Sequence, residues 1–221
     1  MKIVAMIPIK LNSERVPGKN LKKFYDGKVL MSFIQNACLK SKKIDEVYVY
    51  CSDESVKDYL LNGVKYLNRP VILDQNSANC NDIIRQFMKK VDADIYVVSH
   101  ATSPFTKASS IDKCISAVQS GNYDSSFLAK KTQCFMWQNN KALNFDPQHF
   151  PRTQDLTPIF EESSGAFVFT KETFKNFDRR VGVNPFICEI DEIEAIDIDN
   201  PIDFDIANAI YKEVIGNEDP N

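Results

Sequence analysis

The sequence predicts an α/β fold built on a doubly wound, mostly parallel β-sheet. Strand-sized apolar runs alternate with amphipathic stretches from the amino terminus to about residue 129. The run 94–99 is almost continuously apolar, as is typical of a strand buried on both faces of a parallel sheet. In such sheets ligands bind beyond the carboxyl ends of the strands. The loops that follow the strands are therefore the expected place for a functional site.

The spacing of the apolar residues predicts the helices and strands, because it alternates between every second residue, as in a strand, and every third or fourth residue, as in a helix. The predicted strands are 3–7, 46–51, 64–67, 94–99 and 125–129. The predicted helices are 30–40, a short one from the Ser52-Asp53-Glu54 cap to about 61, 81–91 and 108–120. Three loops that directly follow strands, at 8–21, 68–69 and 100–103, are expected to converge on one crevice.

The stretch from about 130 to 162 breaks this rhythm. It holds the only tryptophan, Trp137, together with Phe135 and the segment Pro151-Arg152. Its aromatic content with few helical repeats predicts either an extended arm that packs on a partner or a β-hairpin that covers its own subunit. Beyond it we expect a strand at 164–169, the stretch 194–199, and a final helix at 202–214 that Pro201 opens at its first position.

The composition of the chain limits the classes of function that it can have. The 221 residues, 43% of them apolar and 26% charged, are expected to form a single domain, 1–221, of a soluble protein. A net charge of −3 argues against a nucleic-acid partner. No apolar run approaches the ~20 residues of a membrane span and no signal peptide opens the chain, so we expect no membrane partner and a cytoplasmic location. The six cysteines form no CxxC pair and are expected to be buried thiols.

The loop after the first strand is strongly cationic. Pro17-Gly18 marks a turn in which backbone N–H groups can approach a ligand closely. Such a loop is either a phosphate cradle or an ordinary solvated loop. Its five cations, set against Glu14, are Lys10, Arg15, Lys19, Lys22 and Lys23.

The pattern IP-x-K-x-x-S-x-x-x-PGKN at 7–20 resembles the amino-terminal signature of the CMP-sugar synthetases. These cytidylyltransferases activate sialic acids and related 2-keto-3-deoxy sugar acids, and their usual form is IPAR-x-x-S-K-x-x-PGKN. Lys10 stands where arginine is usual, and Glu14-Arg15 replaces a Lys-Gly pair. The residues that match are Ile7, Pro8, Ser13, Pro17, Gly18, Lys19 and Asn20.

This resemblance implies a Rossmann-like sheet of the nucleotidyltransferase type, with a dimerisation arm inserted at about 130–162. It implies CTP and a sugar acid as partners, Mg²⁺ as cofactor and a homodimer. Transfer of an α-phosphoryl group is catalysed mainly by positioning and by electrostatic stabilisation, so a cluster of cations and a metal held by carboxylates are the parts required.

For the nucleotide, the resemblance implies that Lys19, Lys10 and Arg15 hold the phosphates and that Ser13 and Asn20 lie beside them. Base selection falls to the loops at Arg69-Pro70 and at 79–82, with Arg69 and Asn81 as candidates. Arg69 has an alternative role, because it can instead pair with Asp74.

Asp197 and Asp199 are spaced i, i+2. On a strand this spacing puts both carboxylates on one face, about 7 Å apart at Cα. Such a pair either holds a hard divalent cation or lies at a solvated strand end that caps the next helix. The sequence D-I-D-x-P-x-D-F resembles the family's metal-binding segment, which implies that Asp197 and Asp199 bind Mg²⁺ and that Asp197 is catalytic. We expect Asp203 to be structural, because it lies in the first turn of the final helix.

The acceptor is by resemblance a sugar carboxylate, for which the fork of an arginine is well suited. Arg152 is the candidate, donated by the arm across the dimer. His100, Thr102 and Ser103 match the family's Q-x-T-S-P, except that His100 replaces the glutamine, which leaves the identity of the sugar open.

Three functions are compatible with these residues. The first is a cytidylyltransferase that couples CTP to a nonulosonic, sialic-type acid to give a CMP-sugar and pyrophosphate. The second is a 3-deoxy-manno-octulosonate cytidylyltransferase, with a shorter acid on the same fold. The third is a non-catalytic nucleotide-binding protein, suggested by Glu14, whose carboxylate would lie near the anticipated phosphates.

Overall fold

A computed structural model describes residues 1–12, 16–75 and 77–215. The helices of these residues are α1 (Leu30–Lys40), α2 (Cys80–Met88), α3 (Ala108–Gln119), α4 (Lys171–Phe177) and α5 (Pro201–Glu213). The strands are β1 (Ile3–Pro8), β2 (Glu46–Cys51), β3 (Val64–Asn68), β4 (Ile95–Val98), β5 (Ser125–Thr132), β6 (Trp137–Gln138), β7 (Lys141–Ala142), β8 (Ile159–Thr170) and β9 (Pro185–Ile190).

One seven-stranded sheet, in the order β3-β2-β1-β4-β8-β5-β9, organises the molecule. β8 is antiparallel to both of its neighbours, β4 and β5, whereas every other pair is parallel. The chain runs outward from β1 to β3 and then returns to β4 on the other side of β1, which creates a switch point between β1 and β4. This arrangement confirms the predicted mostly parallel, Rossmann-like sheet and places the loops after β1 and β4 side by side.

Helices cover both faces of the sheet because its central strands are apolar on both sides. In β1, Ala5 and Ile7 face a core shared with α1 and α3, whereas Val4 and Met6 face a core shared with α2 and α4. The period of two in the side chains of a strand produces this division. A third apolar cluster joins α5 to the loop after β1 through Phe24, Ile198 and Phe204.

The local predictions agree closely in the amino-terminal half. The helix 30–40 and the strand 46–51 have the predicted bounds. The short helix predicted after Asp53 is a 3₁₀ helix, Glu54–Tyr59, with Asp53 accepting a hydrogen bond from the backbone N–H of Ser55 as its cap. Helix α4 and strand β9 were not predicted.

The stretch 194–199, considered as a strand for the spacing of its two aspartates, is not one. Its residues form turns followed by irregular chain outside the sheet, tied to the loop after β4 by the hydrogen bond from Ile198 N to Thr102 O. The alternating burial expected of a strand is nevertheless present, because Ile198 is fully buried and both flanking aspartates are less buried. The edge of the sheet at this end is taken by β9, which pairs with β5.

The arm begins later than expected. Strands β5 and β8 continue as a pair to Thr132 and Ile159, so the first and last residues of 130–162 belong to the main sheet. Between them, β6 and β7 form a hairpin whose turn residues, Asn139 and Asn140, adopt positive φ. Four aromatic rings pack together on the arm, of which Trp137 and Phe150 are exposed and Phe135 and Phe145 are half-buried.

All six cysteines are free thiols, and most are buried as predicted. Cys134, on the arm, is the exposed exception, and Cys80 is intermediate.

Among the described residues no helix has the length and apolar character needed to cross a membrane.

Candidate active site

The cationic loop after β1 is joined to the acidic segment before α5 through Lys19. Gly18 has a φ of 65°, a left-handed conformation that favours glycine, and it turns the chain into the 3₁₀ helix Lys19–Leu21. Lys19 is only 8% exposed. Its Nζ donates a hydrogen bond of 2.7 Å to the carbonyl oxygen of Ile198 and lies 3.7 Å from Oδ1 of Asp199. The structure thus brings together two segments that lie far apart in the sequence.

The remainder of this loop is held by its neighbours. The side chain of Asn20 is buried and donates a hydrogen bond of 2.8 Å to the carbonyl oxygen of Lys10. Asn20 therefore shapes the backbone on which Lys10 is carried. Ser13 and Arg15, both expected at the nucleotide, lie outside the described residues.

A cavity of about 350 Å³ opens beyond the carboxyl ends of β1, β3 and β4. Its walls combine apolar side chains with two cations and one carboxylate, which suits a flat base attached to an anionic group. This cavity is called the nucleotide cavity below. It is lined by Pro8, Lys10, Arg69, Leu73, Asp74, Gln75, Ala78, Ile83 and His100.

Arg69 lies in the wall of the nucleotide cavity and is almost fully buried. It forms an ion pair with Asp74, whose other carboxylate oxygen accepts a hydrogen bond from Ser52. The Nε atom of Arg69 makes no hydrogen bond within the described residues. A buried donor left unsatisfied costs about 1–3 kcal/mol, so an acceptor on a ligand would be favourable here. Pairing with Asp74 holds Arg69 in the wall; contact with the base stays a prediction.

His100 lies where the nucleotide cavity meets the centre of the sheet. Its backbone N–H donates to the carbonyl oxygen of Ser164 at 3.1 Å, and its ring contacts Phe167 edge-on, at 6.5 Å between centroids. Desolvation, together with the positive charges of Arg180 and Lys19, lowers the pKa of His100 to about 4. The imidazole is therefore neutral at pH 7 and adds no charge to the cavity.

The two residues that match T-S-P act mainly through the backbone. The carbonyl oxygen of Thr102 accepts the 2.8 Å hydrogen bond from Ile198, which ties the loop after β4 to the acidic segment. Ser103 is fully buried, and its carbonyl oxygen accepts from the hydroxyl of Thr106. The same threonine explains Gly165 in β8, because a Cβ there would lie 2.4 Å from its Oγ1. Direct contact of Thr102 or Ser103 with an acceptor stays a prediction.

The acidic segment presents the carboxylate of Asp199 beside Lys19, and Asp197 lies two residues earlier in the same segment. Ile198 anchors it in the third apolar cluster, and Asp203 holds its end by accepting from the backbone N–H groups of Asp199 and Asn200, as expected of a structural cap. No group of three or more His, Cys, Asp or Glu side chains within the described residues is placed to hold a metal. Mg²⁺ needs only one or two carboxylates when phosphates and water complete its shell, so Asp197 and Asp199 fit this ion chemically.

Two predicted residues lie away from this cluster. Arg152 is on the arm with its side chain 73% exposed, and its fork pairs with Asp155 at 2.8 and 3.1 Å. Within one chain the structure does not bring it to Lys19 and Asp199. Asn81 lines a neighbouring cavity instead of the nucleotide cavity.

That neighbouring cavity contains a residue that the sequence reasoning missed, Arg180. It follows α4, an element that was itself not predicted, and its guanidinium lies over the ring of Phe167. The only local signal is the adjacent pair Arg179-Arg180, which is a common feature of solvated surfaces.

Taken together, the sheet, the cationic loop and the facing aspartates define a nucleotidyltransferase. The chain belongs to the cytidylyltransferase family, whose sequence model matches residues 4–215.

Individual relatives show how far this likeness extends. The chain is 26% identical over 230 residues to the pseudaminic acid cytidylyltransferase of Campylobacter jejuni subsp. jejuni serotype O:2, covering 96% of this chain and 97% of that protein. It is 24% identical over 184 residues to the N-acylneuraminate cytidylyltransferase of Oncorhynchus mykiss, covering 78% of this chain and only 42% of that longer protein.

Among solved structures, CMP:2-keto-3-deoxy-manno-octonic acid synthetase complexed with CTP matches with a TM-score of 0.74. The match covers 96% of this chain and 99% of that chain at 18% sequence identity, so this likeness concerns the fold.

Proposed function

We propose that the protein couples CTP to a nonulosonic, sialic-type sugar acid and releases pyrophosphate. The observation that carries the proposal is the contact between Lys19 and the Ile198-Asp199 segment, next to a cavity that Arg69 and Lys10 line. In support of the proposal, a buried cation contacts the segment that carries both aspartates, and the charge of this cation acts on His100 in the wall of the cavity. The family match and the full-length relative that acts on pseudaminic acid support the same reading.

In this proposal the chain works by positioning and by neutralising charge. Lys19, held in place by Ile198, offers its ammonium group to the phosphates, and Lys10 adds a second cation from the same loop. Asp197 and Asp199 would hold Mg²⁺, which supplies a Lewis acid that lowers the pKa of the attacking sugar hydroxyl. Since Lys19 already touches the segment that carries both aspartates, little rearrangement is needed when the triphosphate arrives.

Selection of the base is assigned to the wall of the nucleotide cavity. Arg69 is oriented by Asp74 and retains a buried Nε donor, which matches the acceptor atoms on the edge of a pyrimidine. The apolar residues Leu73, Ala78 and Ile83 provide surfaces for the ring.

We also propose that the arm completes the site of a second copy in a homodimer. Trp137 is 58% exposed and Phe150 65% exposed, which leaves apolar surface on the arm that association would bury. The exposed fork of Arg152 would then reach the carboxylate of the acceptor in the neighbouring subunit.

A second candidate acceptor is 3-deoxy-manno-octulosonate. The structural likeness to the synthetase that makes the CMP derivative of 2-keto-3-deoxy-manno-octonic acid favours keeping it. Both acids carry the same anomeric centre and carboxylate, so the machinery proposed above serves either.

Pyrophosphate release from CTP tests the proposal. The assay uses N-acetylneuraminate, pseudaminate, legionaminate and 3-deoxy-manno-octulosonate, each with and without Mg²⁺. Release that depends on a nonulosonic acid is the expected result. Release with 3-deoxy-manno-octulosonate alone would establish the second candidate, and CTP binding without turnover on any acid would leave a non-catalytic nucleotide-binding protein.

A further inference from the structure

A second cavity, of about 320 Å³, lies beside the nucleotide cavity. The two cavities meet at the start of α2: Ala78 and Ile83 line the nucleotide cavity, and the three residues that follow Ala78, 79–81, line the second one. Its volume is at the lower end of the range of small-ligand sites, about 300–1,000 Å³. It is lined by Asn79, Cys80, Asn81, Glu162, Arg179, Arg180 and Val181.

The guanidinium of Arg180 is held in a fixed plane in this cavity. Its Cζ lies 3.4 Å from the centroid of the Phe167 ring, a stacked contact that fixes the orientation of the fork. Nη1 donates to Sγ of Cys80 at 3.3 Å and Nη2 to a carboxylate oxygen of Glu162 at 3.2 Å. A thiol is a weak acceptor, and Glu162 is half exposed and reached through one nitrogen only. Arg180 is therefore oriented well but bound weakly.

Phe167 connects this fork to the nucleotide cavity. Arg180 stacks on the phenyl ring, and His100, which lines the nucleotide cavity, contacts the same ring edge-on. Arg180 thus lies one aromatic ring away from the nucleotide cavity. A ligand in the second cavity would adjoin a nucleotide in the first.

The charges of the second cavity select an anion. Arg179 and Arg180 contribute two positive charges against the one negative charge of Glu162, and Asn79 and Asn81 contribute amide groups. A planar, well-oriented guanidinium matches a carboxylate, which it can bind through two parallel hydrogen bonds. The phosphates of the nucleotide have their own cations in Lys19 and Lys10, in a different part of the cleft.

We infer that Arg180 binds the carboxylate of the acceptor sugar acid in the second cavity, where that carboxylate takes the place of Glu162. The inference rests on the proposed function and deepens it, because it places a carboxylate-binding residue in the same subunit as the nucleotide cavity. A carboxylate has two oxygens with about four acceptor positions, so it can accept from Arg180 and from the partner's arm together.

The test compares Arg180→Gln and Arg180→Lys with the control Arg85→Gln in the pyrophosphate assay. Arg85 also lies on the α2 side of the sheet, but its fork is held by Asp82 and Asp178 outside the second cavity. We expect Arg180→Gln to raise the KM for the best acceptor acid about tenfold or more and to change the KM for CTP by less than about twofold. Arg180→Lys should fall between the wild type and Arg180→Gln, because the charge remains while the fork is lost.

A second readout uses the carboxamide analogue of that acid as a competitive inhibitor. The wild type should bind the acid much more tightly than the amide, and Arg180→Gln should lose most of this preference. A merely structural role of Arg180 would weaken both ligands equally. If Arg180→Gln does not fold, as judged by its thermal transition, Arg180→Lys decides the test.

The outcomes separate this inference from the proposed function. An unchanged KM for the acid in both variants, or an equal rise in the KM values for acid and CTP, overturns the role of Arg180 while the proposed function stands. If the wild-type protein turns over none of the acids, the proposed function fails, and this inference fails with it.

Discussion

Lys19 and Arg152 both pair with an aspartate, but they differ in burial and in how far away in the sequence the partner lies. Lys19 is 8% exposed and meets Ile198 and Asp199 across 179 and 180 positions of sequence, respectively. Arg152 has a side chain that is 73% exposed and meets Asp155 only three residues away. The first contact is imposed by the packing of α5 and the loop after β1, whereas the second is a local surface pair.

The comparison separates a contact that the fold of one chain fixes, at Lys19, from a contact that can be exchanged, at Arg152. The fold holds Lys19 in a buried position, where its ammonium group donates to the backbone of Ile198, whereas the side chain of Asp199 is 40% exposed. An exposed pair is worth about 0–1 kcal/mol and can be exchanged for another partner at little cost. The surroundings of Lys19 are therefore fixed by the fold of one chain, whereas Arg152 can change partners, as the proposed homodimer requires.

The largest effect is expected from Lys19→Ala. Under the proposed function, loss of the buried cation that neutralises the reacting phosphates should lower kcat/KM by about 10³-fold, or about 4 kcal/mol of transition-state stabilisation. Steady-state rates of pyrophosphate release measure this change. Lys23→Ala removes an exposed cation from the same loop and should stay within about twofold of the wild type. A loss below about tenfold in Lys19→Ala would refute its phosphate role.

Asp197→Asn tests the acidic side of the same region. If Asp197 and Asp199 hold Mg²⁺ as proposed, loss of one carboxylate should reduce kcat/KM about 10²-fold and raise the Mg²⁺ concentration needed for half-maximal activity. A magnesium titration at saturating CTP measures both. Asp205→Asn is the matched control, because Asp205 lies on α5 with a side chain that is 71% exposed. An unchanged Mg²⁺ requirement in Asp197→Asn would remove the metal assignment.

His100 offers a test that depends on pH. Because the pKa of His100 is about 4 in the folded protein against an ordinary 6.5, the unfolded chain takes up a proton between these pH values that the folded chain does not. The unfolding free energy should therefore fall as the pH drops from about 6.5 to about 4. The shift sets an upper limit of about 3 kcal/mol, and partial exposure of the residue reduces the expected effect to about 2 kcal/mol.

Urea unfolding of the wild type and of His100→Gln at pH 7 and pH 5 measures this contribution. The difference between the two pH values should shrink in His100→Gln. His149→Gln is the control, since His149 lies on the arm with a side chain that is 83% exposed and its pair with Asp146 is screened by solvent. An equal pH dependence in the wild type and His100→Gln would show that His100 is not the group responsible.

The smallest effect is expected on the arm. Arg152→Lys should raise the KM for the sugar acid about tenfold, or about 1.4 kcal/mol, and leave that for CTP unchanged, because the bidentate fork is lost while the charge stays. Equal effects on both substrates would count against a role at the acceptor.

Mixing two impaired variants, assayed at a sugar-acid concentration below the wild-type KM, then tests whether the arm is exchanged. Lys19→Ala and Arg152→Ala chains, unfolded and refolded together, should recover about a quarter of wild-type activity if each site combines Lys19 of one subunit with Arg152 of the other, because half of the dimers then hold one intact site. No recovery would place Arg152 in the site of its own chain or outside the site.

The missed features share a physical cause. Arg180 reaches Phe167 and Glu162 only because β8 runs antiparallel between β4 and β5 and α4 then brings the chain back over the sheet. Neither the direction of β8 nor the position of α4 is encoded in local periodicity. Likewise, the segment of Asp197 and Asp199 has the alternation of a strand, but β9 occupies the place beside β5, so the segment stays outside the sheet.

The sequence by itself determined the fold class and most elements of the amino-terminal half, and it indicated where a site is expected. Apolar periodicity set the bounds of α1 and β2, and the rule that ligands bind at the ends of parallel strands pointed to the loop after β1 and to His100. Tertiary structure alone decided which charges are buried and which residues meet, including Lys19 with Asp199 and Arg180 with Phe167. The physical reason is that periodicity reports on interactions within one helix or strand, whereas burial and charge pairing depend on the order in which the strands assemble.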